Sequence, residues 1–193
     1  MALTFDDGPD PSGTPDVLRA LDAIGARATF FVLGSRALRH PRLVRDVVAA
    51  GHEVGLHGFD HVRHSRRSRA AVERDTEAAL AALAGLGVAP RRWRTPWGDL
   101  APWTAEVAAA RGLALTGWSA DTVDWRGDAA ERMLEAVAPA LAPGCVVLMH
   151  DGLGPGARRR DCAETARLLR PLADAIADRG CTTGPLPASA VAA

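Results

Sequence analysis

Two adjacent carboxylates, Asp6 and Asp7, stand where a strand-like run meets a turn in Leu3-Thr4-Phe5-Asp6-Asp7-Gly8-Pro9. Further along, His57 and His61 stand four residues apart in His57-Gly58-Phe59-Asp60-His61. One carboxylate and two imidazoles form a three-ligand set that leaves a divalent metal an open position for water. Three more clusters follow: Arg94-Thr95-Pro96-Trp97-Gly98, Asp121-Thr122-Val123-Asp124-Trp125 and Leu148-Met149-His150-Asp151. Each puts reactive side chains at or just past the end of a strand-like run. The reaction class this suggests is metal-assisted hydrolysis.

Side chains alternate along a strand, so Asp6 and Asp7 cannot face the same way while the chain is extended. Gly8 and Pro9 turn the chain at once, so one carboxylate can bind metal while the other stays near its water. Turn chemistry alone also accounts for Asp-Gly-Pro, and His52 and His64 show that the histidine stretch is His-rich in any case. Arg94 at a strand end can hold a carboxylate bidentately. Asp124 could orient an imidazole, and His150, the only histidine of the second half, could donate a proton to a leaving group. Taken singly, each cluster has an ordinary structural explanation. Taken together they do not.

At 193 residues and 48% hydrophobic, the chain fits one globular domain with ample core. Formal net charge is zero and no basic run exceeds Arg158-Arg159-Arg160, which argues against a nucleic-acid or anionic-membrane surface. Lys, Asn, Gln and Tyr are absent while Ala and Arg abound. That bias reads as the codon usage of a GC-rich genome, so the arginine excess is not taken as functional. Cys145, Cys162 and Cys181 lack metal-type spacing, and a helix predicted between the last two argues against a disulfide framework. No apolar run approaches the ~20 residues of a membrane span. Met1 leads straight into a strand, which fits an intracellular protein or a chain that has lost its leader.

Short apolar runs alternate with helical patterns, as in an α/β fold on a parallel sheet. Strands are predicted at Ala2–Phe5, Ala28–Leu33, Glu53–Leu56, Arg92–Arg94, Ala114–Trp118, Val146–Met149 and Cys181–Leu186. Helices are predicted from Thr14 to before Gly25, from Pro41 to Ala50, from Ser68 to about Leu86, and over Pro102–Arg111, Asp128–Leu141 and Asp161–Arg179. Seven strands and six helices suit a distorted, incomplete (β/α) barrel of about seven parallel strands better than an open doubly wound sheet. Residues 152–160 read as a long loop and 187–193 as a flexible tail. The reactive clusters all fall at carboxyl ends of strands, where parallel β/α proteins assemble their sites.

In their order and spacing these motifs resemble the NodB-type polysaccharide deacetylases of carbohydrate esterase family 4, over Leu3 to about Leu186. The resemblance implies a hydrolase of carbon–nitrogen bonds that removes acetyl groups from N-acetylated amino sugars of a chitin- or peptidoglycan-like glycan. It implies Asp6 as catalytic base, and Asp7, His57 and His61 as ligands of one divalent metal, most often Zn2+, with Co2+ or Mn2+ as alternatives. Arg94 would orient the base, Asp124 would orient the acid His150, and the Trp97 N–H would help hold the oxyanion. Trp125 and Leu148 would wall the pocket for the acetyl methyl. The expected partner is an acetylated carbohydrate, bound by a monomer. One departure stands out: Gly58 occupies a position that the family fills with Ser or Thr, whose hydroxyl braces the loop. Competing readings are an O-acetyl esterase on xylan or another sugar, a decayed carbohydrate-binding protein, and an unrelated metal-binding protein.

Overall fold

The computed structural model describes residues 1–187. Its strands are β1 (Ala2–Asp6), β2 (Thr29–Val32), β3 (Glu53–Leu56), β4 (Arg92–Trp93), β5 (Ala114–Leu115), β6 (Ala120–Asp121) and β7 (Val146–His150). The helices are α1 (Thr14–Ala23), α2 (Gly34–Arg39), α3 (Pro41–Ala49), α4 (Arg69–Ala84), α5 (Thr104–Ala109), α6 (Ala130–Val137) and α7 (Ala163–Ala177). Pro15 and Pro41 lie in first turns, where a missing N–H costs nothing. Ser68 caps α4 by accepting the Ala71 N–H.

The strands form one parallel sheet in the order β5-β4-β3-β2-β1-β7-β6. That order is the chain order run around a circle and opened between β5 and β6, which gives a curled half-barrel. A doubly wound sheet would reverse direction at a switch point, and this one does not. The opening follows from the chain itself. Only residues 116–119 join β5 to β6, whereas a parallel crossover needs a dozen residues or more. β6 therefore joins the far edge beside β7.

Six of the seven expected strands are present, some shorter than expected. The seventh, Cys181–Leu186, is not a strand: it touches β1 through a single bridge, Ala2 to Gly184. Both edges of β1 are taken by β2 and β7 from Thr4 upward, and Pro185 and Pro187 have no N–H to offer. The strand that was not expected is β6, two residues long, and α2 is the helix that was not expected. The expected tail lies, from residue 188, outside the described residues. The three cysteines are free, and no helix among the described residues is long and apolar enough to cross a membrane.

Parity in β1 sets the interior. Leu3 and Phe5 join the main core under the helices, Phe5 stacking on Phe30 at 5.0 Å. Ala2 lies in a separate small cluster with Phe31 and Leu186, on the same strand face as Thr4 and Asp6. His64 is buried between Trp93 and Trp103 and sits 3.2 Å from the Thr104 hydroxyl. Burial, reinforced by His57 and opposed by Asp99, pushes His64 down to about 4. The folded chain thus refuses a proton that the unfolded chain accepts below about pH 6.5. Stability should be intact above that value and fall as pH drops toward 4. The expected check is melting temperature against pH for the parent and His64→Leu, with the parent losing more between pH 6.5 and 4.5. Parallel curves would refute the assignment.

Candidate active site

Asp6 is the last residue of β1 and Asp7 the first beyond it, at φ 71°. That left-handed turn is what lets two neighbouring carboxylates serve one site. Asp6 Oδ1 accepts from Arg94 Nη1 at 2.9 Å, and the same nitrogen donates to the Thr4 hydroxyl at 2.8 Å. The rest of the guanidinium reaches the β5–β6 link, donating to Gly117 O at 2.8 Å and Thr116 O at 3.4 Å, with Phe31 beneath it at 4.2 Å. Arg94 is fully buried, so its charge depends on Asp6 for compensation.

Asp7 Oδ1 lies 3.4 Å from His57 Nε2 and 3.1 Å from His61 Nε2. The ligand atoms of these three residues fall within 4.8 Å of one another. His57 Nδ1 is 2.7 Å from the Arg94 carbonyl oxygen, so it carries the hydrogen and Nε2 turns a lone pair toward the carboxylate. Asp7 Oδ1 itself is buried and has no hydrogen-bond partner among the described residues. Acceptors facing acceptors need a cation between them, and this donor set suits a divalent ion. With no ion between them the imidazoles can instead take up protons: burial alone would raise the Asp7 carboxyl, but the charged imidazoles outweigh it and hold it well below the usual range. For His57 burial is likewise outweighed, here by Asp6 and Asp7, and its proton affinity rises.

On the opposite flank His150 ends β7, and its Nδ1 lies 2.6 Å from Asp124 Oδ1. Asp124 Oδ2 accepts the His150 N–H at 3.0 Å, the Thr165 hydroxyl at 2.8 Å and Arg159 Nη1 at 2.7 Å. Burial opposes both charges, yet the pairing prevails, with Arg159 adding to it. Asp124 is held down to about 2 and His150 pushed up to about 9.

Arg159 was not anticipated from sequence. It also donates to His150 O and Gly152 O, so one guanidinium ties residues 152–159 to the carboxylate behind His150. Nothing in the Arg158-Arg159-Arg160 triplet separates the half-buried middle residue from its exposed neighbours.

A cavity of about 320 Å³ joins the two flanks. Every expected site residue lines it except Arg94 and Asp124, which stand behind Asp6 and His150. Trp118 and Asp121 also line it. Asp121 holds the next turn by accepting the Val123 N–H at 2.7 Å. Trp97 reaches the rim, with one ring face covered by Arg63 at 4.1 Å and His61 meeting it at 3.9 Å. Trp103 lies apart from the cavity, packed on His64. Residues 152–157 form the remaining wall. A Cβ on Gly154 would stand 2.0 Å from Asp7 Oδ2, so only glycine lets this loop close over the carboxylate. Asp151 instead accepts from the Thr14 hydroxyl at 2.5 Å, and burial pushes it up to about 7.

The non-glycine residues with positive φ among those described are Asp7, Trp97 and Val123. The first two line the cavity, and the third opens the turn that carries Asp124. Each such conformation costs on the order of 1–3 kcal/mol and persists where surrounding structure enforces it, which is characteristic of functional sites.

The sequence profile described as polysaccharide deacetylase matches residues 1–116. A chitooligosaccharide deacetylase of Bradyrhizobium sp. (strain ANU 289) is 40% identical, over 96% of this chain and 88% of its own. A peptidoglycan-N-acetylglucosamine deacetylase of Listeria monocytogenes is 38% identical over 78% of this chain and 32% of its own length. Among solved structures, a family 4 carbohydrate esterase from Streptomyces lividans in complex with acetate superposes with a TM-score of 0.85. It is 33% identical, covering 95% of this chain and 91% of that one. With the sheet order, the two-flanked cavity and these likenesses in agreement, the chain belongs to the polysaccharide deacetylase family.

Proposed function

We propose that this deacetylase of N-acetylated sugars is zinc dependent and works on amino sugars within a chitin- or peptidoglycan-like glycan, releasing acetate. The observation that carries the reading is the opposition of two bonded pairs, Asp6–Arg94 and Asp124–His150, across one cavity that also holds the Asp7, His57 and His61 donors. All these groups come from a single chain, so a monomer suffices.

Asp7, His57 and His61 would hold a divalent ion, which would supply Lewis acidity toward the amide carbonyl and lower the pKa of a water near it. Asp6, fixed by Arg94, takes the proton from that water as it attacks. The Trp97 N–H supports the developing oxyanion, a contribution of roughly 3–4 kcal/mol for one such donor. Trp125 and Leu148 wall the space for the acetyl methyl. His150, kept protonated by Asp124, delivers its proton to the amide nitrogen as the carbon–nitrogen bond breaks. The products are acetate and a free amino sugar.

Acetate release from chitin oligomers, peptidoglycan and acetylated xylan, with chelator and after zinc is restored, tests this reading. Activity should vanish and return on an N-acetylated substrate. Turnover that survives complete metal removal would refute zinc dependence, and activity confined to xylan would make the chain an O-acetyl esterase. The acid role has its own signature. An amine must be protonated to leave, whereas an activated phenolate leaves unaided. His150→Ala should therefore damage N-deacetylation far more than cleavage of a chromogenic acetyl ester, and Arg159→Met should show the same asymmetry more weakly. An unchanged ratio would remove His150 from proton transfer.

A further inference from the structure

Histidines spaced four apart converge on a helix face, but residues 57–61 are neither helix nor strand. Something else must make the two imidazoles meet. His57 has its own brace in the Arg94 carbonyl, 2.7 Å from Nδ1. His61 lacks one: its buried Nδ1 has no hydrogen-bond partner among the described residues. Metal-binding imidazoles ordinarily donate that second N–H to an orienting acceptor. Beyond its edge contact with the Trp97 ring, the aim of His61 therefore depends on the backbone that carries it.

That backbone is gripped from two sides. The carbonyls of Gly58 and Phe59 accept from Gly34 N–H at 2.9 Å and Ser35 N–H at 3.1 Å, at the start of α2. Opposite them, a carboxylate on α4 takes the donors. Phe59 N–H donates to Asp75 Oδ2 at 2.8 Å and Asp60 N–H to Asp75 Oδ1 at 3.0 Å. Bonds to a charged acceptor are about twice as strong as neutral ones. Gly58 is part of the same arrangement. Its φ is 98°, where L side chains are strained, and a Cβ there would stand 3.0 Å from Asp75 Oδ2.

We infer that Asp75 is a positioning residue of the metal site, holding the 57–61 turn in the shape that brings His61 to Asp7 and replacing a hydroxyl at position 58 as the brace. The inference rests on the metal reading above. It assigns a role to a helix residue that touches neither substrate nor ion.

Zinc affinity by competition with a chromogenic chelator tests it on the full chain. Asp75→Ala removes both acceptors and should weaken zinc about 10–100-fold, the range for a lost outer partner of a ligand. Asp75→Asn keeps one acceptor and turns an amide NH2 toward the other N–H, so it should fall between the Ala variant and the parent. In the metal-free chain, the His61 ring signals should shift in the Asn variant while those of His57 hold. A merely structural helix residue would lower the melting temperature and leave zinc affinity within about twofold of the parent; that result overturns the inference. If the Ala variant does not fold, parent-like affinity in the Asn variant overturns it equally. A parent that takes up no zinc refutes the metal reading itself, and the control shows this before any variant is compared.

Discussion

Replacing Asp6 by Asn should leave the metal in place and remove most of the turnover, by a factor on the order of 10²–10⁴ as for a lost general base. The amide oxygen can still accept from Arg94, so the local geometry is kept. The charge is not, and Arg94 is then a buried cation without its partner. Breaking a buried pair typically costs about 3–5 kcal/mol, so a lower melting temperature should accompany the lost activity. Activity, metal content and melting temperature therefore need to be read together. If Asp6→Asn released the ion while Asp7→Asn retained it, the roles of the two carboxylates would be reversed.

The second large effect belongs to the proposed ligands. His57→Ala or His61→Ala leaves two of three donors, too few for a site that must also keep a position open. Metal retention and activity should disappear together in both variants. The histidines differ in what else is lost. His57→Ala also strips the Arg94 carbonyl of its imidazole partner, so it should lower the stability of the metal-free chain more than His61→Ala does. Full metal content by elemental analysis in either variant would end the three-ligand assignment.

Where a polar residue closes an apolar run, the site was readable in advance. Asp6, His57, Arg94 and His150 interrupt runs that otherwise want burial, and a parallel β/α chain has one place for such residues. Harder features had weaker signals. Ala120–Asp121 is too short for any periodicity to register, and it became a strand only because β7 offered an edge. Cys181–Leu186 had strand-like content but found β1 already paired on both sides. Arg159 was hidden by the composition, since an arginine-rich chain gives no reason to single one out. The Gly58 departure suggested a looser loop, while the compensating carboxylate sits seventeen residues away on a helix face. Contacts of that kind depend on how α2 and α4 pack, and no local pattern encodes them.

The curl that brings β7 back beside β1 sets a timetable for synthesis. β1 is made long before β7, yet β7 is one of its two neighbours, with Ala2 registered against Val146 and Asp6 against His150. Until the last third of the chain emerges, one edge of β1 has no partner. Such an edge is open to pairing with other chains, and its native contact is among the most distant the topology allows. The segment matched by the family profile, residues 1–116, ends before that partner begins. A chain stopped there keeps Asp7, His57 and His61 but lacks the strand that pairs with β1 along its whole length.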